Sequence, residues 1–126
     1  MRYMMFMKHP RDYGDSQPPA SLYEAMGAFI GEMIENGTFI DGAGLQPLAK
    51  GTRVRLAGND IHVTDGPFAE AKEVVGGYAQ FELKSKEEAV ESAVRFMELH
   101  KKHWPGWEGE TEVRQMFGPE EFAPKK

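Results

Sequence analysis

An α+β fold, with an antiparallel sheet carrying two helices on one face, is what this sequence predicts. Three observations point to it. Apolar and polar residues alternate with period two in several short stretches. Two amphipathic stretches with helical spacing lie between them, and each follows one strand and precedes another. The 126 residues suit one domain, with all these elements in residues 1–117 and a tail over 118–126.

The first strand is read over Tyr3–Lys8. Tyr3, Met5 and Met7 share one face and Met4 and Phe6 the other, so both sides are expected to be covered. His9-Pro10 ends it, and a loop runs through Pro18-Pro19. Ser21-Leu22-Tyr23-Glu24 has the capping-box pattern. Leu22, Met26, Phe29, Ile30, Met33 and Ile34 then recur at helical spacing, and Asn36-Gly37 supplies the stop. Gly27 and Gly31 inside this helix each cost about 1 kcal/mol against Ala. Close packing or a loosely packed turn is therefore expected there.

Phe39-Ile40-Asp41 is a short strand, and Gly42 to Pro47 is a bend or bulge. Its glycines lack the Lys-Ser/Thr and following helix of a phosphate loop. Arg53–Leu56 and Ile61–Thr64 form a hairpin about Gly58-Asn59. The chain then turns at Asp65-Gly66-Pro67-Phe68. Asp65 suits an Asx-turn, Gly66 accepts torsion angles closed to other residues, and Pro67 restricts the residue before it. Phe68 is expected to pin this corner onto a core.

Ala69–Val75 is read as one or two helical turns, and Tyr78–Leu83 as a strand with Ala79, Phe81 and Leu83 inward. Ser85-Lys86-Glu87-Glu88 is a second capping box. Ala89, Val90, Ala93, Val94 and Met97 give its helix an apolar stripe, and Lys101-Lys102 suit the negative end of its dipole. His103 to Trp107 is a loop, and Thr111–Phe117 is the last strand. The order is that of a ferredoxin-like sheet with both helices on one face. The opposite face is left bare, and the apolar residues on both sides of strand one make a two-fold homodimer the expected way to cover it.

Composition excludes some functions. A net charge of −5 argues against direct nucleic-acid binding, which needs a basic surface. No apolar run is long enough to span a membrane, and the apolar start Met1–Met7 is too short for a signal peptide. The absence of cysteine removes disulfides and thiolate chemistry and suits a reducing, cytoplasmic compartment.

Each polar residue that stands out carries two readings. Asp65 is a general base or ligand acceptor, or a turn carboxylate satisfied by backbone N–H groups; the second role is the commoner. His9, at the end of the first strand, faces a cavity or lies in a surface loop. His62 alternates with Ile61 and Val63 and titrates near neutrality if a carboxylate is close. Arg55, with Arg53 on the same strand face, clamps an anion or is simply solvated. Tyr78, Gln80 and Glu82 form a polar row that lines a pocket between sheets or is a hydrated outer face. His100 and His103 have the i, i+3 spacing of paired ligands but no third partner, so no metal is expected. Trp104 and Trp107 lid a pocket or pack at a dimer seam, the latter favoured.

The corner Asp65-Gly66-Pro67-Phe68-Ala69-Glu70, with Lys72-Glu73 and Gly76-Gly77-Tyr78, resembles the DGPF domain of the YCII-related family. The likeness extends to Arg2-Tyr3-Met4, to Gly42 through Pro47, and to Glu112-Val113-Arg114. This resemblance implies a dimeric α+β barrel with a pocket between the helices and the sheet-to-sheet interface, and no settled activity. The first reading is a small-molecule pocket protein or an enzyme without metal or organic cofactor. Relatives of the barrel include isomerases, lyases and monooxygenases acting on small, often aromatic, molecules. Fusions of DGPF domains to sigma factors imply the alternative, an accessory module linked to transcription initiation through a protein partner. Many family members carry a His in the first helix and an Asp after the second. Here Met26 stands near the first position and His103–Trp107 occupies the second region, so acid–base roles do not carry over.

Overall fold

The computed structural model describes residues 1–10, 18–68 and 73–118. The loop expected before Pro18, residues 69–72 of the corner motif and its expected helical turns, and the tail from residue 119 lie outside them. The elements run β1 (Arg2–Pro10), α1 (Ala20–Glu35), β2 (Phe39–Gly44), β3 (Thr52–Ala57), β4 (Asp60–Asp65), β5 (Glu73–Glu82), α2 (Lys86–His103) and β6 (Glu110–Gln115). A short 3-10 turn at Leu48–Lys50 follows β2.

Alternation along β1 sets the layers. Tyr3 and Met5 point into the core, and their antiparallel partners on β5 are Phe81 and Ala79. Phe29 and Met33 of α1 and Ala89 and Ala93 of α2 pack on the same face. β6 pairs with the other edge of β1, and β2 with the other edge of β5, giving the order β2-β5-β1-β6. This is the ferredoxin-like arrangement the sequence predicts, with β3 and β4 inserted as a separate two-stranded hairpin.

The opposite sheet face carries Met4, Phe6 and Lys8 from β1 beside Gln80, Tyr78 and Glu112. It is a mixed surface. Lys8 Nζ donates to Glu112 Oε1 at 2.6 Å, and Arg114 pairs with the other carboxylate oxygen. Those two cations hold the Glu112 carboxyl below its ordinary range.

Several local expectations are corrected. α1 starts at Ala20 with Pro19 as its cap and no side-chain cap bond, so Ser21 lies inside the first turn. The Pro19 carbonyl instead accepts from Leu22 and Tyr23. The Ser85 cap holds: its hydroxyl accepts from the Glu88 N–H, while the Glu88 carboxylate reaches back to Lys84 rather than to Ser85. Gly42 and Gly44 belong to β2, since that edge must stay extended to pair with Tyr78 and Gly77. Residues 73–75 are strand and not helix, because Val74 and Val75 pair with His9 and Lys8. Ile34, Val90 and Val94, expected on apolar stripes, are exposed. Nothing lies within 4 Å of where a Cβ would stand on Gly27 or Gly31, so close packing does not explain either.

Candidate functional site

Helical spacing decides which side chains meet beneath the helices. Leu22, Met26 and Phe29 descend from α1 toward Met5, Met7 and His9 of β1. Phe96 and His100, four apart on α2, close one end together with Trp104 and Trp107. Phe68 and the Leu48 turn close the other. These walls line a partly open cavity of about 700 Å³, within the range of small-molecule sites, about 300–1,000 Å³. Among the described residues, no Asp, Glu, Lys or Arg lines it. Its titratable lining residues there are His9, Tyr23, His100 and Tyr78, the last with its side chain on the far face of β5.

Glycines shape two of the walls. Gly76 is the extra residue of a bulge, unpaired between Gly77 and Val75 in the β1–β5 ladder. A Cβ there would come within 2.8 Å of the His9 ring, so the missing side chain is what lets His9 lie against β5. At the corner, a Cβ on Gly66 would stand 2.7 Å from the Ala49 carbonyl oxygen. The Gly66 N–H donates to the Gly51 carbonyl at 2.9 Å, and the Gly66-Pro67 peptide is cis. Phe68 is buried, with the Arg53 guanidinium 3.8 Å from its ring centroid, so it does pin the corner.

His100 is 3% exposed. Its Nδ1 donates to the Phe96 carbonyl at 2.9 Å, and burial pushes its pKa below the ordinary imidazole value. Its ring centroid lies 4.8 Å from that of Phe96 and 4.6 Å from that of Trp107. Trp104 stacks on Trp107 at 5.9 Å. A space that is uncharged among the described residues and aromatic-walled, with a neutral imidazole, can hold an apolar ligand and accept one hydrogen bond from it. It is badly suited to an ion, whose desolvation no opposite charge among the described residues would offset.

The residues singled out from the sequence divide. His9 and Tyr78 border the cavity. The Tyr78 hydroxyl donates to Asp41 at 3.2 Å, and that carboxylate raises its pKa. Gln80 and Glu82 lie on the opposite sheet face; the N-terminal ammonium, 2.6 Å from Glu82, holds that carboxyl below its usual range. Arg55 and His62 face each other on the exposed hairpin. Asp65 is exposed and accepts from the Thr52 hydroxyl at 2.8 Å, in place of the expected backbone partners. Neither these hairpin residues nor Asp65, Gln80 or Glu82 lines the cavity. Both tryptophans do, as a pocket wall.

Sequence reasoning passed over His100, weighing it only as half of a metal pair. The available signal was its spacing. Ala89, Ala93, Phe96 and His100 continue one stripe at intervals of four, three and four, which puts the imidazole on the buried face.

The model of the YCII-related domain matches residues 1–98. The chain belongs to the YCII-related family. The match takes in β1 through most of α2 and includes the Asp65–Phe68 corner; β6 lies beyond it but pairs along β1 in the same sheet. A search of curated proteins finds no match.

Proposed function

We propose that this YCII-related protein binds an uncharged, largely apolar small molecule in the cavity beneath α1, and does so as a homodimer. The observation that carries the first part is the cavity of about 700 Å³ with no charged side chain among its described lining residues. Small-molecule sites are commonly apolar with a few placed polar groups, and His9, His100 and Thr111 supply such groups. If the ligand is also a substrate, two imidazoles and a hydroxyl suit proton transfer without a cofactor. Membership of the DGPF subgroup rests on the corner motif, and a cytoplasmic location fits the absence of cysteine.

The dimer is supported by the inserted hairpin. Val54 pairs with Val63 and Leu56 with Ile61, forming one aliphatic face whose four side chains are 68–71% exposed. A two-stranded hairpin is marginal alone in water, so this face requires a cover. A second copy offers Met4 and Phe6 on its open sheet face as matching apolar surface. No described helix is long and apolar enough to cross a membrane.

The test is thermal unfolding against a metabolite panel sorted by charge and planarity. Uncharged apolar compounds are expected to raise the melting temperature of the intact protein. A panel in which only anions or cations do so would overturn this reading.

A further inference from the structure

Among the buried groups of this molecule, His100 has a ring nitrogen with work left to do. Its Nδ1 faces the Phe96 carbonyl, which can only accept, so the proton sits on Nδ1 and Nε2 presents a lone pair. Nε2 has no partner among the described residues. No fully buried side-chain nitrogen or oxygen there lacks a partner, so Nε2 meets the cavity space that the ring lines. The surroundings hold that state. No carboxylate lines the cavity among the described residues to pair with an imidazolium, and His100 is 3% exposed between Phe96 and Trp107.

We infer that His100 Nε2 is the hydrogen-bond acceptor of the cavity, and that its ligand is a flat, uncharged aromatic molecule carrying one O–H or N–H donor. The inference rests on the cavity being a ligand site and specifies what that site selects. The aromatic part follows from the walls: Phe96, His100, Trp104 and Trp107 present ring faces and edges at stacking distances from one another. The donor follows from Nε2, because a ligand without one would leave that lone pair dry and unpaired. An anion is disfavoured on the same ground, since it would place like charge density against the imidazole lone pair.

Two probes separate the terms: 2-naphthol, which has the donor, and 2-methoxynaphthalene, which has the same rings without it. Calorimetry on the full chain is expected to show 2-naphthol binding about fivefold to tenfold tighter, the worth of one good hydrogen bond. His100→Phe should bring the two affinities together while 2-methoxynaphthalene still binds. Should that variant fail to fold, nitrogen NMR of the wild-type imidazole serves instead. The Nε2 resonance should carry the bare-nitrogen signature and move when 2-naphthol, but not its methyl ether, is added. Equal affinities in the wild type, or a preference that survives in His100→Phe, would overturn the acceptor role while leaving the cavity a ligand site. Failure of both probes to bind would remove the cavity reading itself, and this inference with it.

Discussion

The Nδ1 of His100 lies 2.9 Å from the carbonyl oxygen of Phe96, one helical turn earlier. That bond consumes the ring's proton and leaves a buried neutral imidazole with no carboxylate beside it at the cavity among the described residues. Burial lowers the His100 pKa below 6.5, more than the carbonyl bond raises it. The folded state therefore binds fewer protons than the unfolded chain once the pH falls to the unfolded value. Stability from this group is complete above about pH 6.5 and is lost as the pH drops from there toward the lowered folded value. Chemical denaturation across pH should show the loss, and His100→Gln should flatten it in that window. Glu82 and Glu112, whose carboxyls are also lowered, act further down, below their ordinary 4.5.

The hairpin prediction concerns assembly. Leu56→Asp with Ile61→Asp puts two like charges opposite each other on the aliphatic face. Sedimentation velocity should find the wild type dimeric and this variant monomeric, with the helical circular dichroism of the main domain kept. A monomeric wild type would remove the dimer.

Asp65 tests the corner. Its carboxylate is exposed and bonded to the Thr52 hydroxyl, away from the cavity lining. Asp65→Ala should lower stability by about 1 kcal/mol or less, the worth of one exposed hydrogen bond. Probe affinity should not change. A loss of binding with stability intact would return Asp65 to the site.

Glycine substitutions should have opposite signs at two places. Gly27→Ala and Gly31→Ala meet open space on a helix and should each stabilise by about 0.5–1 kcal/mol. Gly66→Ala drives a Cβ to within 2.7 Å of the Ala49 carbonyl, so a backbone atom must move. A loss of about 1–3 kcal/mol is expected, as for other overpacked sites. Urea denaturation midpoints read both.

Much of the frame was legible in the sequence, because period-two alternation and helical stripes are local. Tyr3, Met5, Phe81, Phe29 and Met33 all fell where their spacing puts them. The hairpin was legible from Gly58-Asn59 between two alternating runs, and Gly58 does take a positive φ of 62°. The site was far less so. Whether His100 or Asp65 meets a cavity depends on how α2 and the corner dock, and spacing within each element is silent on that. His9 reaches the cavity through the bulge at Gly76, a tertiary accommodation that a single glycine does not announce. The stop of β2 was misplaced for a related reason. Gly42 looks like a bend residue until the neighbouring Tyr78 carbonyl, 3.0 Å from its would-be Cβ, explains it.

The chain has two tryptophans, and both line the cavity. Their fluorescence therefore reports on the proposed site directly. Titration with 2-methoxynaphthalene, exciting the indoles, is predicted to give a saturable change with a stoichiometry of one probe per chain. A change that only drifts linearly with probe, or none at all, would contradict a ligand cavity between α1 and the sheet.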